Sequence, residues 1–198
     1  HYGNKDCRMY HDFRELLAQK DIDAVFIATG DRWHTTASVF AARAGKDIYC
    51  EKPISMTISE GRSLVEACRR YGTIYQGGTQ RRSTASYRFA VEMVRQGRIG
   101  RVHTVEMQVW TGPTIRHCKP APVPKGLDYD TWLGSTPFAY YTENRVHPQQ
   151  GYGRPGWLRC EQFGAGMITG WGSHHLDSAH WAMDEEHSGP LEIWGSAE

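Results

Sequence analysis

Two short clusters in this 198-residue sequence carry residue types that can move a proton and stabilise a developing negative charge. The first is Glu51-Lys52-Pro53. Its lysine is a compact charge on a flexible stem. It can hydrogen-bond a hydroxyl and stabilise alkoxide character as a hydride leaves carbon. The second is Gly170-Trp171-Gly172-Ser173-His174-His175-Leu176-Asp177. A histidine titrates near neutral pH and suits the removal of an alcohol proton. On a helix, His174, Asp177 and Trp181 share a face and His175 lies off it. Asp177 reads as a hydrogen-bond partner or packing carboxylate, and Ser173 as the helix N-cap. The same histidines and aspartate could bind zinc or manganese. No companion Glu or Cys cluster stands nearby, so no metal is expected.

One further motif is discounted. Gly151-Tyr152-Gly153-Arg154-Pro155-Gly156 matches G-x-G-x-x-G letter by letter. A pyrophosphate-binding fingerprint needs a buried strand before it and a helix opening within it. Here the preceding segment is polar and contains Pro148, and Pro155 interrupts any helix. The aromatics Trp132, Phe138, Tyr140, Tyr141, Tyr152 and Trp157 could form a sugar-binding wall or the core of an irregular region.

Both clusters need elements to hold them. Asp12-Phe13-Arg14-Glu15 has capping-box spacing before Leu16 and Leu17, which predicts a short helix. Residues 23–29 are nearly all apolar and predict a strand buried on both faces. An Ala-rich helix is expected over 34–46, then a strand over 47–50 ending at Glu51-Lys52-Pro53. Thr57-Ile58-Ser59-Glu60 is a capping box that opens a helix ending at Gly72, and residues 73–76 predict a third strand. Strand–helix–strand–helix–strand with short connections is the pattern of a right-handed parallel α/β sheet. Such sheets bind ligands beyond the carboxyl ends of their strands. Further on, residues 87–96 predict a helix and residues 101–110 a long strand, and 113–156 has little periodicity. A boundary near Gly78 divides the chain into 1–78 and 79–198.

The bulk composition excludes several classes. A formal net charge of +1 gives no global field toward nucleic acid or acidic membranes. The five cysteines are scattered without a C-x-x-C, which argues against a structural zinc site or a disulfide framework. No apolar run reaches the roughly 20 residues of a membrane span.

Together, the 23–29 strand with Asp31 and His34, the Gly45-to-Pro53 block, Gln80-Arg81-Arg82 and Gly172-to-Asp177 resemble the glucose-fructose oxidoreductase / inositol dehydrogenase (Gfo/Idh/MocA) family, over essentially the whole chain. Cys50-Glu51-Lys52-Pro53 and Trp132-Leu133-Gly134 are similar to a bacterial subgroup whose members often carry an export signal, so a cytoplasmic or an exported location fits. The resemblance implies a Rossmann domain over 1–78 that binds NAD or NADP, with its first strand and glycine fingerprint lying before His1. It implies, over 79–198, part of an α+β substrate and oligomerisation domain with a large, mostly antiparallel sheet.

The implied activity is hydride transfer between a sugar or polyol/cyclitol hydroxyl carbon and NAD(P), with Lys52 and His174 catalytic and facing the same substrate oxygen. Implied cofactor contacts are Ala28, Thr29, Gly30, Asp31, Trp33, His34, Glu51, Lys52, Pro53 and Gln80. Implied substrate contacts are Lys52, Arg81, Trp157, His174 and His175. The expected partner is a small sugar or polyol, with a homo-oligomer and without nucleic acid or membrane. Two positions depart from the family pattern: Gly30 stands where proline is usual, and Gly170 where many members have aspartate. Two alternatives stay in view, the first of them favoured by Gly170. One is a non-catalytic sugar-binding or assembly protein with the same fold. The other is a relative that oxidises and re-reduces a sugar while cleaving a glycoside.

Overall fold

The computed structural model describes residues 7–109, 119–147 and 156–196. Its elements are α1 (Phe13–Leu17), β1 (Ala24–Ile27), α2 (Asp31–Arg43), β2 (Asp47–Cys50), α3 (Ile58–Tyr71), β3 (Tyr75–Gly77), α4 (Ala85–Arg95), α5 (Tyr129–Leu133), α6 (Glu143–Val146), α7 (Gly166–Gly170) and α8 (Gly172–Met183). Two 3-10 turns cover Gln80–Ser83 and Gly156–Arg159. The chain divides into two compact units. One comprises His1–Gly78 with Pro113–Gly166, the other Thr79–Gly112 with Met167–Glu198. The segment after Pro113, read from sequence with the second domain, therefore packs within the first unit as far as Gly166.

The first unit is built on a three-stranded parallel sheet in the order β1-β2-β3. Local signals set its helices. Thr57 caps α3 and Glu60 reaches back to the Thr57 N–H, closing the predicted capping box. Gly72, in the left-handed region at φ 67°, ends the same helix. Asp12 caps α1 through the Arg14 N–H. The Ala-rich helix begins at Asp31, three residues earlier than predicted, with Gly30 as its N-cap. Small buried residues on α2 (Ala37, Ser38, Ala41, Ala42) let it lie close against Ile27, Ile48 and Cys50.

The sheet differs from expectation in one respect. Val25, Ile27, Ile48, Cys50 and Tyr75 face the helices. On the other face Phe26 is 65% exposed and stacks on Tyr49 at 5.2 Å. The apolar run of β1 is thus covered on one face only among the described residues. A run of apolar residues fixes that a strand is apolar on both faces, not that both faces have a partner.

A second core fills the same unit: Tyr129, Leu133, Tyr141, Val146 and Phe163, with Trp132, Trp157 and Cys160 around them. Of the aromatics read as a possible sugar wall, Trp132, Tyr141 and Trp157 belong to this core. Phe138 is 81% exposed, and Tyr152 lies outside the described residues. The core is fastened to α2 by side chain–backbone bonds. Arg32 Nε donates to the Trp132 carbonyl at 2.6 Å, Trp33 Nε1 to the Thr131 carbonyl at 3.0 Å, and Ser135 Oγ to the Arg32 carbonyl at 3.4 Å. Gly134 makes this possible. Its φ is 64°, and a Cβ there would sit 2.6 Å from the Trp33 ring, so both backbone and space demand glycine.

The second unit packs α4 on α8. Among its described residues the buried hydrophobic side chain is Val91, and an ionic cluster does much of the joining. Arg82 pairs with Asp177 through two 2.8 Å bonds and with Glu186, while Arg95 pairs with Asp184. Residues 101–109, predicted as a strand, form no regular element. Strands are stable only when their backbone groups are paired, and no partner strand lies beside them among the described residues. The large antiparallel sheet is likewise not among the described residues. The residues of the G-x-G-x-x-G match, apart from Gly156, lie outside them too. No helix among the described residues is long and apolar enough to cross a membrane.

Candidate functional site

Strand register decides what meets at the sheet's carboxyl edge. Ile27 pairs with Cys50, and Cys50 with Gly77. The exits Ala28-Thr29-Gly30-Asp31 and Glu51-Lys52-Pro53 therefore leave adjacent strands at the same level. Gly78 follows β3 so closely that a Cβ there would lie 2.9 Å from Glu51 Cα. Ala28 and Thr29 are exposed, and Glu51 and Lys52 half-buried. The Lys52–Pro53 peptide is cis.

The first turn of α2 sits behind these exits, and most of it is occupied internally. His34 is 1% exposed, with Nδ1 2.6 Å from the Pro53 carbonyl and Nε2 3.0 Å from the Thr29 carbonyl. Trp33, read as a cofactor contact, places its indole N–H on Thr131 and its ring edge-on to Phe13. Asp31 is 8% exposed. Burial lifts its carboxyl above the ordinary carboxylate range, against the opposing pull of His34, the Ala165 N–H, Lys52 and its own N–H. A carboxyl raised by folding binds its proton more tightly folded than unfolded. Its contribution to stability is thus greatest below the ordinary carboxylate pKa and is lost as pH rises through the folded value. Asp31→Asn should accordingly raise the melting temperature at pH 7, by an amount that shrinks to nothing near pH 3. A thermal melt series across pH measures it. A variant that is less stable at pH 7 would show that the attractive partners outweigh the burial.

Arg32 is the residue that sequence reasoning missed. It is 6% exposed, its guanidinium 4.0 Å from the Trp132 ring and within 5.7 Å of Trp157 and Phe163. Burial pushes it down to about 10, against Asp31 and Tyr129. The aromatic faces compensate part of the lost hydration. The signal in sequence was only an arginine beside Asp31, and its partners lie about a hundred residues away. Trp157, read as a substrate contact, belongs to this cage.

In the second unit, His174 is 4% exposed in the first turn of α8. Its ring meets Trp171 edge-on at 6.0 Å, and that of His175 lies 6.2 Å from the same indole. Ser173 is not the N-cap. The helix starts after Trp171, and Ser173 Oγ donates back to the Gly170 carbonyl at 3.0 Å. The reason is α7. It ends at Gly170 and Trp171 stays in the helical region, so the chain enters α8 already wound. Asp177 is held by Arg82, which also lies 5.3 Å over Trp181. Gln80 is exposed in the turn before α4, and Arg81 lies 5.1 Å over Tyr87. Among the described residues no group of three His, Cys, Asp or Glu could hold a metal ion, and Cys7, Cys50, Cys68 and Cys160 are free thiols.

A parallel sheet with its exits gathered at one edge and a half-buried lysine among them defines an α/β class of protein whose ligands bind at that edge. Comparison with known families makes this specific. Residues 3–79 match the model of the Gfo/Idh/MocA oxidoreductase family's NAD-binding Rossmann fold, and residues 98–198 that of its C-terminal alpha/beta domain. The chain belongs to this family. Among curated proteins it is 37% identical over 87 residues to 1,5-anhydro-D-fructose reductase of Ensifer adhaerens (44% of this chain, 26% of the relative). It is 29% identical over 122 residues to myo-inositol 2-dehydrogenase of Thermotoga maritima (62% and 34%). The chain thus spans about a quarter to a third of the length of the curated relatives it matches. Among solved structures, an oxidoreductase domain protein from Kribbella flavida shares the fold at TM-score 0.59 and 21% identity, over 87% of this chain and 38% of that one.

Proposed function

We propose that the protein carrying this chain transfers hydride between a sugar or polyol hydroxyl carbon and NAD or NADP. Family membership in an NAD-binding Rossmann fold supports the cofactor. The observation that carries the reading is Lys52 at the carboxyl end of β2, beside the exit of β1. Accessible groups there suit the nicotinamide end of a dinucleotide: the Thr29 hydroxyl, the backbone of Ala28 to Gly30, and the Lys52 ammonium. Asp31 and His34, buried within the protein, shape this edge from behind rather than touch a ligand. When bound, the nicotinamide supplies the hydride acceptor. Lys52 orients the substrate oxygen and stabilises its negative charge, and His174 takes the hydroxyl proton. Gln80, Arg81 and His175 remain candidate contacts, and Trp157 a support for them.

Anhydro-sugar and inositol relatives favour a polyol or cyclic sugar derivative over an acid. A homo-oligomer is part of the proposal, as is a boundary near Gly78, with the 113–166 segment returning to the first unit. The second reading, a non-catalytic sugar binder, has Gly170 in its favour. The test is a panel assay. Full-length protein with NAD or NADP and a set of inositols, anhydro-sugars and aldoses should reduce the cofactor with at least one of them. Sugar binding without any cofactor reduction would instead select the non-catalytic reading.

A further inference from the structure

We propose that His34 is the positioning residue for Lys52, a role that rests on the oxidoreductase reading above. The last backbone rung between the exits of β1 and β2 is the Glu51 N–H to the Ile27 carbonyl, at 2.9 Å. Past it, the cross-links among the described residues are side chains of α2. His34 Nδ1 meets the Pro53 carbonyl and Nε2 the Thr29 carbonyl, and Thr35 Oγ1 donates to the Ile54 carbonyl at 3.0 Å. One imidazole thus spans the two loops that would hold the nicotinamide and the substrate oxygen.

The chemistry of the ring explains why histidine stands there. Both partners are carbonyls, which only accept, so each contact is a hydrogen bond when the nitrogen facing it carries a proton. The planar ring places one nitrogen toward each carbonyl, the neutral ring donating to one of them and the imidazolium to both. The consequence reaches Lys52 through one residue. Pro53 is buried and its ring fixes φ near −65°, so anchoring the Pro53 carbonyl leaves the Lys52 backbone little freedom. His34 itself is 1% exposed, so its influence passes through the turn it holds.

The test compares kcat, KM for substrate and cofactor affinity in His34→Ala, His34→Gln and Lys52→Ala proteins, using the polyol that the wild type oxidises in the panel assay. Loss of the anchor should lower kcat of His34→Ala by about 10²-fold, since a misplacement of about 1 Å costs that much. Cofactor affinity should change by less than about tenfold. His34→Gln keeps donors on a single nitrogen of a flexible side chain and should fall between the two, at about tenfold. Adding His34→Ala to Lys52→Ala should slow turnover no further, because the histidine acts through the lysine. A multiplicative loss in the double variant, or an unchanged kcat in a folded His34→Ala protein, would overturn the proposal. If His34→Ala does not fold, His34→Gln decides by the same cycle, and wild-type kcat in that variant would overturn it. An unchanged kcat in Lys52→Ala would overturn the proposal by removing the role of Lys52, whereas a panel assay without any cofactor reduction would remove the oxidoreductase reading on which it stands, so the two failures are distinct.

Discussion

Replacement of Lys52 by alanine should lower turnover roughly 10²–10⁴-fold while the protein stays folded. Folding should survive because Lys52 is half-buried at a strand exit, outside both hydrophobic cores. The size of the effect follows from the charge that develops. As hydride leaves, the substrate oxygen passes through alkoxide character, and a cation held against it in a site shielded from water is worth far more than the same pair in bulk solvent. Arginine is not a substitute, since its planar fork is larger and cannot be deprotonated, so Lys52→Arg should recover little of the loss. The measurement is steady-state kcat and kcat/KM with the polyol found in the panel assay. A rise in KM alone, with kcat preserved, would assign Lys52 to uniform binding rather than to the chemical step.

His174→Ala should lower turnover by a similar roughly 10²–10⁴-fold, with cofactor affinity changed far less, because the base acts on the hydroxyl proton rather than on the dinucleotide. His174 is buried in the first turn of α8, against Trp171, where packing limits its rotamers. The pH profile separates its role from a structural one. Loss of a base removes the acidic limb of kcat/KM, whereas loss of packing lowers the whole curve without moving it. Unchanged turnover would pass the role to His175, whose ring lies beside the same indole.

Much of the positioning was legible in the residues themselves, because the signals were local. The Thr57–Glu60 capping box and the glycine stop at Gly72 act within one turn of chain, and both formed as their spacing implied. The exits of β1 and β2 followed from strand order, since parallel strands joined by short crossovers must end on the same edge. What escaped was non-local or depended on a partner. The Arg32 cage and the Trp33–Gly134 contact join residues about a hundred positions apart, and nothing in the neighbourhood of either foretells the other. His34 was read as a cofactor contact because it stands in the right loop. Only its burial, with a carbonyl on each nitrogen, reveals an internal tie. Ser173 has the side chain of an N-cap, but a cap needs an extended backbone, and the helical Trp171 before it removes that condition. Among the described residues, the open face of Phe26 and Tyr49 and the unpaired 101–109 segment carry the same lesson. Apolar and alternating patterns say which faces want partners, while only the three-dimensional arrangement supplies them.

The central claim is hydride transfer from a carbinol carbon, and isotope transfer tests it most directly. Full-length protein is incubated with NAD or NADP and the active polyol deuterated at its carbinol carbons, and the reduced nicotinamide is analysed by mass and NMR. The account predicts one deuterium per reduced cofactor, at nicotinamide C4, with label appearing at a rate that falls in Lys52→Ala and His174→Ala proteins. Reduced cofactor that carries no deuterium, or a polyol that binds and leaves without any label reaching the nicotinamide, would contradict it.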